Sequence, residues 1–270
     1  IKNPTSKSFK AIKLLKSRHK LALSGTPIEN SVADIWSQMH FTNPGLLGSY
    51  TYFQKEFVAP IEKKKDEDKA RRLQAIIKPF ILRRTKNQVA TELPPKTEQT
   101  VFCEMSEKQA ETYERTKSEY RNILLENAIQ QSGKGSQIAL LQGLTKLRQL
   151  ANHPKMTEEN YMDGSGKFEA VLAMLATISL EGNKVLIFSQ FVKHLQLFRD
   201  HFDKQKIKYA YLDGSTSDRA AAVAQFKENE ETKVFLISIK AGGVGLNLTE
   251  ADYVFILDPW WNPAVEQQAV

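Results

Sequence analysis

Cysteine is nearly absent from this chain of 270 residues, where Cys103 stands alone. One thiol can build neither a disulfide framework nor a cysteine-based zinc site, and such usage fits a reducing, intracellular compartment. Histidine is sparse as well, with five scattered residues. His194 and His201 lie near Asp200, but no HExxH or comparable ligand spacing appears, so no metal site is expected. No apolar run approaches the roughly 18 residues needed to span a bilayer, and no membrane partner is expected. No charged-then-apolar leader opens the sequence at Ile1. No internal repeat is visible.

A phosphate-gripping loop is also lacking. Gly164-Ser165-Gly166-Lys167 has the Gly-Lys pair of the Walker pattern, but Tyr161 stands where the first glycine is needed and Phe168 where a Ser or Thr is needed. No strand is predicted before it. Gly133-Lys134-Gly135 fails for the same reasons. The sequence therefore shows nothing that binds a triphosphate in the P-loop manner.

What is present is an ordinary globular composition, 41% apolar and 26% charged. The charge is uneven: residues 1–90 carry a net +11 and residues 91–270 a net −4, for +7 in all. This asymmetry fits either an anionic partner on one part of the surface or a solvated helical face. The mixed run from Lys63 to Arg72 reads as a solvated face.

Three regions follow from the patterning: 1–90, 91–166 and 167–270. The first reads as a strand ending at Leu23, a turn at Ser24-Gly25-Thr26-Pro27, and then helices, with an exposed run at 63–68 and a break at Pro94-Pro95. Residues 96–103 alternate as a strand does, with Cys103 as a buried strand residue. Ser106 with Gln109 spells a capping box for a helix to about Gln130. Residues 132–136 read as a loop. A second helix is predicted over about 137–151, stopping at His153-Pro154, followed by a polar, mobile segment to Gly166.

From Lys167 onward, short apolar runs alternate with amphipathic helices. The runs are Val185-Leu186-Ile187-Phe188, Tyr209-Ala210-Tyr211-Leu212, Val234-Phe235-Leu236-Ile237 and Tyr253-Val254-Phe255-Ile256-Leu257. This pattern predicts an α/β fold with a parallel sheet covered on both faces. Ligands of such sheets bind at the carboxyl ends of the strands. Those ends carry Ser189-Gln190, Asp213-Gly214-Ser215-Thr216-Ser217, the stretch Ser238–Leu248, and Asp258-Pro259-Trp260-Trp261-Asn262. Small, hydroxyl and glycine residues let backbone N–H groups approach phosphate oxygens. Of Trp260 and Trp261, at least one is expected in the core rather than stacked on a ligand.

With these residues in view, the chain resembles the Snf2-type helicase-like ATPases. Leu23-Ser24-Gly25-Thr26-Pro27-Ile28-Glu29-Asn30 resembles the family's motif III. Trp36 and Pro44-Gly45-Leu46-Leu47-Gly48 follow as they do there. Phe80-Ile81-Leu82-Arg83-Arg84-Thr85-Lys86 resembles the joint between its lobes. Leu93-Pro94-Pro95-Lys96 and Leu147–Pro154 are similar too, while Val185–Phe191, Lys240–Leu248 and Asp258–Gln268 resemble motif IV, motif V and the approach to motif VI.

The resemblance covers essentially the whole chain. It implies the tail end of a first RecA-like lobe with a helical protrusion (1–90), a connecting strand and helical insertion (91–166), and a second RecA-like lobe, the helicase C-terminal lobe, truncated before motif VI (167–270). It places motif II just before Ile1 and the arginines of motif VI just after Val270. The fragment alone is thus expected to be inactive and to hold no bound cofactor. The full-length protein is expected to use ATP and Mg²⁺ to move along double-stranded DNA and remodel protein–DNA complexes, with a DNA-bound protein complex as a further partner. Ser24, Gly25 and Thr26 would couple ATP state to lobe movement. Gly243, Gly245 and Asn247 would face the nucleotide, although Asn247 also suits a helix cap. Ser189, Gln190, Ser215, Thr216 and Lys240 would meet DNA phosphates, which position a duplex without reading it. Arg83 and Arg84 would bind phosphate or lock the lobes. The alternative is a non-enzymatic DNA- or partner-binding module that kept the fold; an unwinding helicase is the third reading. The lack of a zinc-binding insert favours a bacterial, nucleoid-associated protein of the cytoplasm over a nuclear one.

Overall fold

The computed structural model describes residues 2–25, 27, 28, 31–84, 86–89, 92, 96–129, 133–242 and 246–259. The chain divides into two compact units, residues 1–99 and 100–270.

The described part of the first unit is helical. Ser6 opens α1 (Lys7–Ile12) by accepting the Phe9 N–H at 3.1 Å. The second helix, α2 (Ala33–Thr42), buries Ile35, Trp36 and Met39. Its Trp36 indole donates to the Gly48 carbonyl at 3.1 Å, and Gly48 has φ +69°, a conformation glycine adopts without strain. That bond is the physical sense of the Trp36 and Pro44–Gly48 pairing in the sequence. Ser49 caps α3 (Tyr50–Phe53), and a π turn (Gln54–Val58) leads into α4 (Ala59–Lys64). Lys65, with φ 55°, ends α4, and Asp66 caps α5 (Glu67–Ile77) by accepting the Lys69 N–H at 3.0 Å. The charged run at 63–68 is therefore a helix–helix corner. A short α6 (Lys86–Val89) follows. Phe9, Ile35, Trp36, Leu47, Phe53, Phe57 and Leu73 make the core.

Two strands expected from the sequence do not form. The stretch before Ser24 carries no strand, and Leu21 and Leu23 are exposed at 79% and 88%. Residues 96–103 are also irregular, with Phe102 92% exposed and Cys103 only partly buried. Alternating residues become a strand only when a neighbour takes up the backbone N–H and C=O groups. No strand is found beside either stretch among the described residues.

The second unit opens with a helical hairpin, α7 (Glu107–Ile129) and α8 (Gly133–Asn152). The second helix starts at Gly133, inside the stretch read as a loop. Gln109 does not complete a capping box. Its side chain is buried and bridges outward instead, donating to the Leu150 carbonyl at 2.8 Å and accepting the Gly166 N–H at 3.2 Å. The segment between α8 and Gly166, read as mobile, is pinned. Met156, Tyr161 and Ser165 are buried, Ser165 donates to the Asn152 carbonyl at 2.6 Å, and Ser106 donates to the Gly164 carbonyl at 3.2 Å. Ion pairs Lys108–Asp163 and Arg115–Glu158, both at 3.1 Å, add surface ties.

Next come α9 (Gly166–Leu180), β1 (Val185–Ser189), α10 (Val192–Gln205), β2 (Tyr209–Leu212), α11 (Arg219–Glu228), β3 (Val234–Ser238), a single turn α12 (Ile239–Gly242) and β4 (Tyr253–Ile256). The strands form one parallel sheet in the order β2-β3-β1-β4, with Val185 level with Val234 and Tyr253. Alternation sorts the side chains into two layers. Val185, Ile187, Val234 and Leu236 meet α9 and α10 through Leu175, Leu195, Phe198 and Phe202. Leu186, Phe188, Phe235 and Ile237 meet Ala222, Phe226, Ile239 and Ala241 on the other face. Both faces are covered, which is why β1 and β3 read as unbroken apolar runs. The unit is an α/β domain, a parallel sheet flanked by helices with a helical hairpin ahead of it.

Candidate functional site

Because all four strands run parallel, their carboxyl ends share one edge. Neighbours β1 and β3 send the chain to opposite faces, into α10 and into α12. Such divergence marks the strand ends at which α/β sheets generally bind ligands. Ser189-Gln190 and Ser238–Lys240 stand at these ends.

Lys240 is exposed on α12, and Asn247 is exposed beyond it. Gln190 is half-buried, and its backbone N–H donates to Asp258 Oδ2 at 3.0 Å. Ser189 is fully buried, with its hydroxyl accepting the Phe191 N–H at 3.0 Å, so it shapes the β1 turn from inside. Ser215 is exposed and Thr216 half-buried. Their donors turn inward onto Asp213. Its Oδ1 accepts the Ser215 N–H at 2.8 Å, the Ser215 hydroxyl at 2.7 Å and the Thr216 N–H at 3.1 Å. Burial alone would raise the Asp213 carboxyl. The bonds from Ser215, Tyr211 and Thr216 outweigh it and hold the group at about 2. The lone pairs of Ser215 and the positive side chain of Lys240 are what this edge offers outward.

In the first unit, Ser24 and Gly25 are exposed, and the neighbouring Pro27 carbonyl accepts from Gln38 of α2 at 2.6 Å. Arg83 and Arg84 are exposed. Thr26, Glu29, Asn30, Thr85, Leu93, Pro94, Pro95, Gly243, Val244, Gly245 and the stretch from Trp260 through Trp261 and Asn262 to Val270 lie outside the described residues.

The Gly164–Lys167 segment is not a phosphate cradle. Lys167 turns its ammonium inward, donating to Asn152 Oδ1 at 2.7 Å and the Leu257 carbonyl at 2.9 Å. Burial lowers its pKa, against the pull of Asp258. Asp258 is 3% exposed at the end of β4, and burial pushes its carboxyl up to about 6 despite the bond from the Gln190 N–H. Sequence reasoning passed over Asp213, Lys167 and Asp258 as site residues. For Asp213 a signal existed, because Asp-Gly-Ser-Thr is the spacing at which a carboxylate accepts from the backbone two and three residues on. Lys167 and Asp258 are 91 positions apart and carried none.

Comparison with known proteins agrees with this architecture. The SNF2-related domain family matches residues 1–156, and the helicase conserved C-terminal domain family matches residues 166–270. An uncharacterized ATP-dependent helicase of Mycoplasma pneumoniae is 38% identical over 271 residues, covering 100% of this chain and 25% of its own length. The SWI/SNF-related matrix-associated actin-dependent regulator of chromatin subfamily A member 1 of mouse is 35% identical over 287 residues, covering 100% of this chain and 27% of its own. Among solved structures, the Sulfolobus solfataricus SWI2/SNF2 ATPase core domain aligns with a TM-score of 0.56 and 38% identity over 100% of this chain and 56% of that one. The same core in complex with double-stranded DNA aligns with a TM-score of 0.55 and 39% identity over 97% and 56%. The chain spans 25% to 30% of the length of curated relatives it matches. It belongs to the Snf2 family of helicase-like ATPases and matches the C-terminal part of that family's motor.

Proposed function

We propose that this chain is part of a motor that couples ATP hydrolysis to movement along double-stranded DNA and remodels protein–DNA complexes. Its strand-end edge is the surface that meets the duplex. The observation that carries this reading is the single edge shared by four parallel strand ends, with Lys240 and Ser215 exposed on it, in a chain 39% identical to a core solved on double-stranded DNA. Contacts of this kind hold phosphates and give affinity that falls with salt.

Family membership implies use of ATP and Mg²⁺. The exposed amide of Asn247 suits the nucleotide side of the cleft. Among the described residues no group of three or more His, Cys, Asp or Glu stands ready to hold a metal ion, so no step is assigned here to Mg²⁺. When bound, the metal and nucleotide supply charge neutralisation and the phosphoryl group. This chain's share is to hold the track and relay the nucleotide state through Ser24, Gly25 and Thr26. The test is ATP turnover by the full-length protein with and without duplex DNA. Stimulation by DNA is expected, and its absence would overturn the reading. Residues 1–270 alone are expected to show no turnover.

A further inference from the structure

The chain leaving β4 is gripped from three sides. Lys167, in the first turn of α9, donates to the Leu257 carbonyl at 2.9 Å. Arg148, near the end of α8, donates through its guanidinium to the Pro259 carbonyl. Between them, the buried Asp258 carboxylate accepts the Gln190 N–H at 3.0 Å and so ties the end of β4 to the turn after β1. Lys167 also reaches Asn152 Oδ1 at 2.7 Å, which joins the hairpin's last residue to the same cluster. Two cations, Arg148 from the hairpin and Lys167 from α9, thus bracket a three-residue stretch of the strand-end edge.

Packing this junction with apolar side chains would cost less than burying a carboxylate beside an ammonium. The cluster also holds unused hydrogen-bonding capacity. Asp258 Oδ1, Gln190 Nε2 and Asn152 Nδ2 are buried with no hydrogen-bond partner among the described residues. One acceptor and two donors left over give the junction a second arrangement within reach, as a device that moves requires.

We propose that Lys167, Arg148 and Asp258 are positioning residues through which the α7/α8 hairpin sets the direction of the chain after β4 and the shape of the Gln190 turn during the ATP-driven cycle. This rests on the motor reading above. The hairpin acts as the lever to which the strand-end edge is fastened.

Lys167 on α9 is the charged group that acts on Asp258; Arg148 on α8 and Cys103 ahead of α7 act on Lys167, and His194 on α10 feels Lys167 and His153. Burial, with help from neighbouring cations, holds His153 at about 4 and His194 at about 3, so both stay neutral from pH 5 to 7. Asp258 titrates inside that window. Its charge, which opposes that of Lys167, is present above pH 6 and absent below.

The experiment compares full-length wild type with the variants Lys167→Met and Asp258→Asn. Asparagine keeps an oxygen for the Gln190 N–H, so Asp258→Asn carries the test should Lys167→Met fail to fold. Two readouts are taken. Hydrogen exchange is followed in peptides covering 186–191 and 253–259. Turnover on duplex DNA is followed between pH 5.5 and 8. Expected are faster exchange in both peptides, a fall of about tenfold to a hundredfold in kcat with DNA affinity little changed, and a step near pH 6 that is lost in Asp258→Asn and moved to higher pH in Lys167→Met. Unchanged exchange, or turnover per folded molecule and a pH profile equal to wild type, would overturn the proposal. Wild type that lacks DNA-stimulated turnover would overturn the motor reading instead, and exchange would still decide the clamp.

Discussion

The Ser215 hydroxyl donates to Asp213 Oδ1 at 2.7 Å, which makes the turn after β2 a structure organised around one carboxylate. The Thr216 hydroxyl accepts the Asp213 N–H at 3.0 Å, and Tyr211 donates to Oδ2 at 2.8 Å. The outward shape of this candidate phosphate-facing turn therefore depends on a residue that faces inward.

That dependence predicts a pH signature. The folded Asp213 pKa, about 2, lies below its ordinary value of 3.8. A group depressed in this way stabilises the fold above about pH 4 and loses that contribution as pH falls toward 2. Asp213→Asn should be less stable than wild type at pH 7, with a gap that closes as acid protonates the wild-type carboxylate. Denaturant unfolding at pH 7, 4 and 2.5 measures it. A gap that does not shrink with acid would mean the charge of Asp213 contributes nothing.

Gly166 carries a second prediction. A Cβ built there would sit 1.7 Å from the Glu104 carbonyl oxygen, which is backbone and cannot swing aside. Gly166→Ala should cost stability at or above the roughly 1–3 kcal/mol of an overpacked core. At Gly214, where a Cβ would have nothing within 4 Å, alanine should be close to neutral. Thermal unfolding of both variants decides, and equal midpoints would refute the contact.

How much of this could be read from the residues depended on the range of the forces involved. Burial on both faces left β1 and β3 as apolar runs, so they were legible to within a residue. Residues 96–103 misled because alternation reports a face and not a neighbour. Gln109 misled because its spacing from Ser106 suits a local bond, while its partners lie at Leu150 and Gly166. The segment before Gly166 looked mobile because polar composition does not reveal that Asn152, Gln109 and Ser106 will reach it. At the candidate site, the chemistry of the strand ends was visible, but the inward turn of Ser189 and the meeting of Lys167 with Leu257 are products of long-range packing.

His194 carries a third prediction. It is wholly buried on α10 beside Phe198, and neither ring nitrogen has a partner among the described residues. Burial, with Lys167 and His153 adding to it, holds its pKa at about 3, below the ordinary 6.5. The unfolded chain therefore takes up a proton that the folded one refuses, and stability contributed above pH 6.5 is lost as pH falls through that window. His194→Phe removes both the unsatisfied nitrogens and the titration. It should equal or exceed wild type in stability at pH 7 and lose less between pH 6.5 and 4.5. A loss as steep as that of wild type would assign the acid sensitivity to other groups.

Lys240 tests the proposed duplex surface directly. It is exposed at the strand-end edge and has no ion-pair partner among the described residues. Lys227, by contrast, pairs with Glu250 at 3.1 Å. An unpaired lysine that neutralises a phosphate releases a counterion on binding, so its loss should lower the slope of log affinity against log salt by about 1 and weaken all sequences alike. Lys240→Ala in the full-length protein is expected to do so, and Lys227→Ala, which removes a cation already matched, should leave the slope unchanged. Titrations of two unrelated duplexes between low and moderate salt read both quantities. An unchanged slope in Lys240→Ala would take this lysine off the DNA, and a loss confined to one duplex would mean it touches bases and not the backbone.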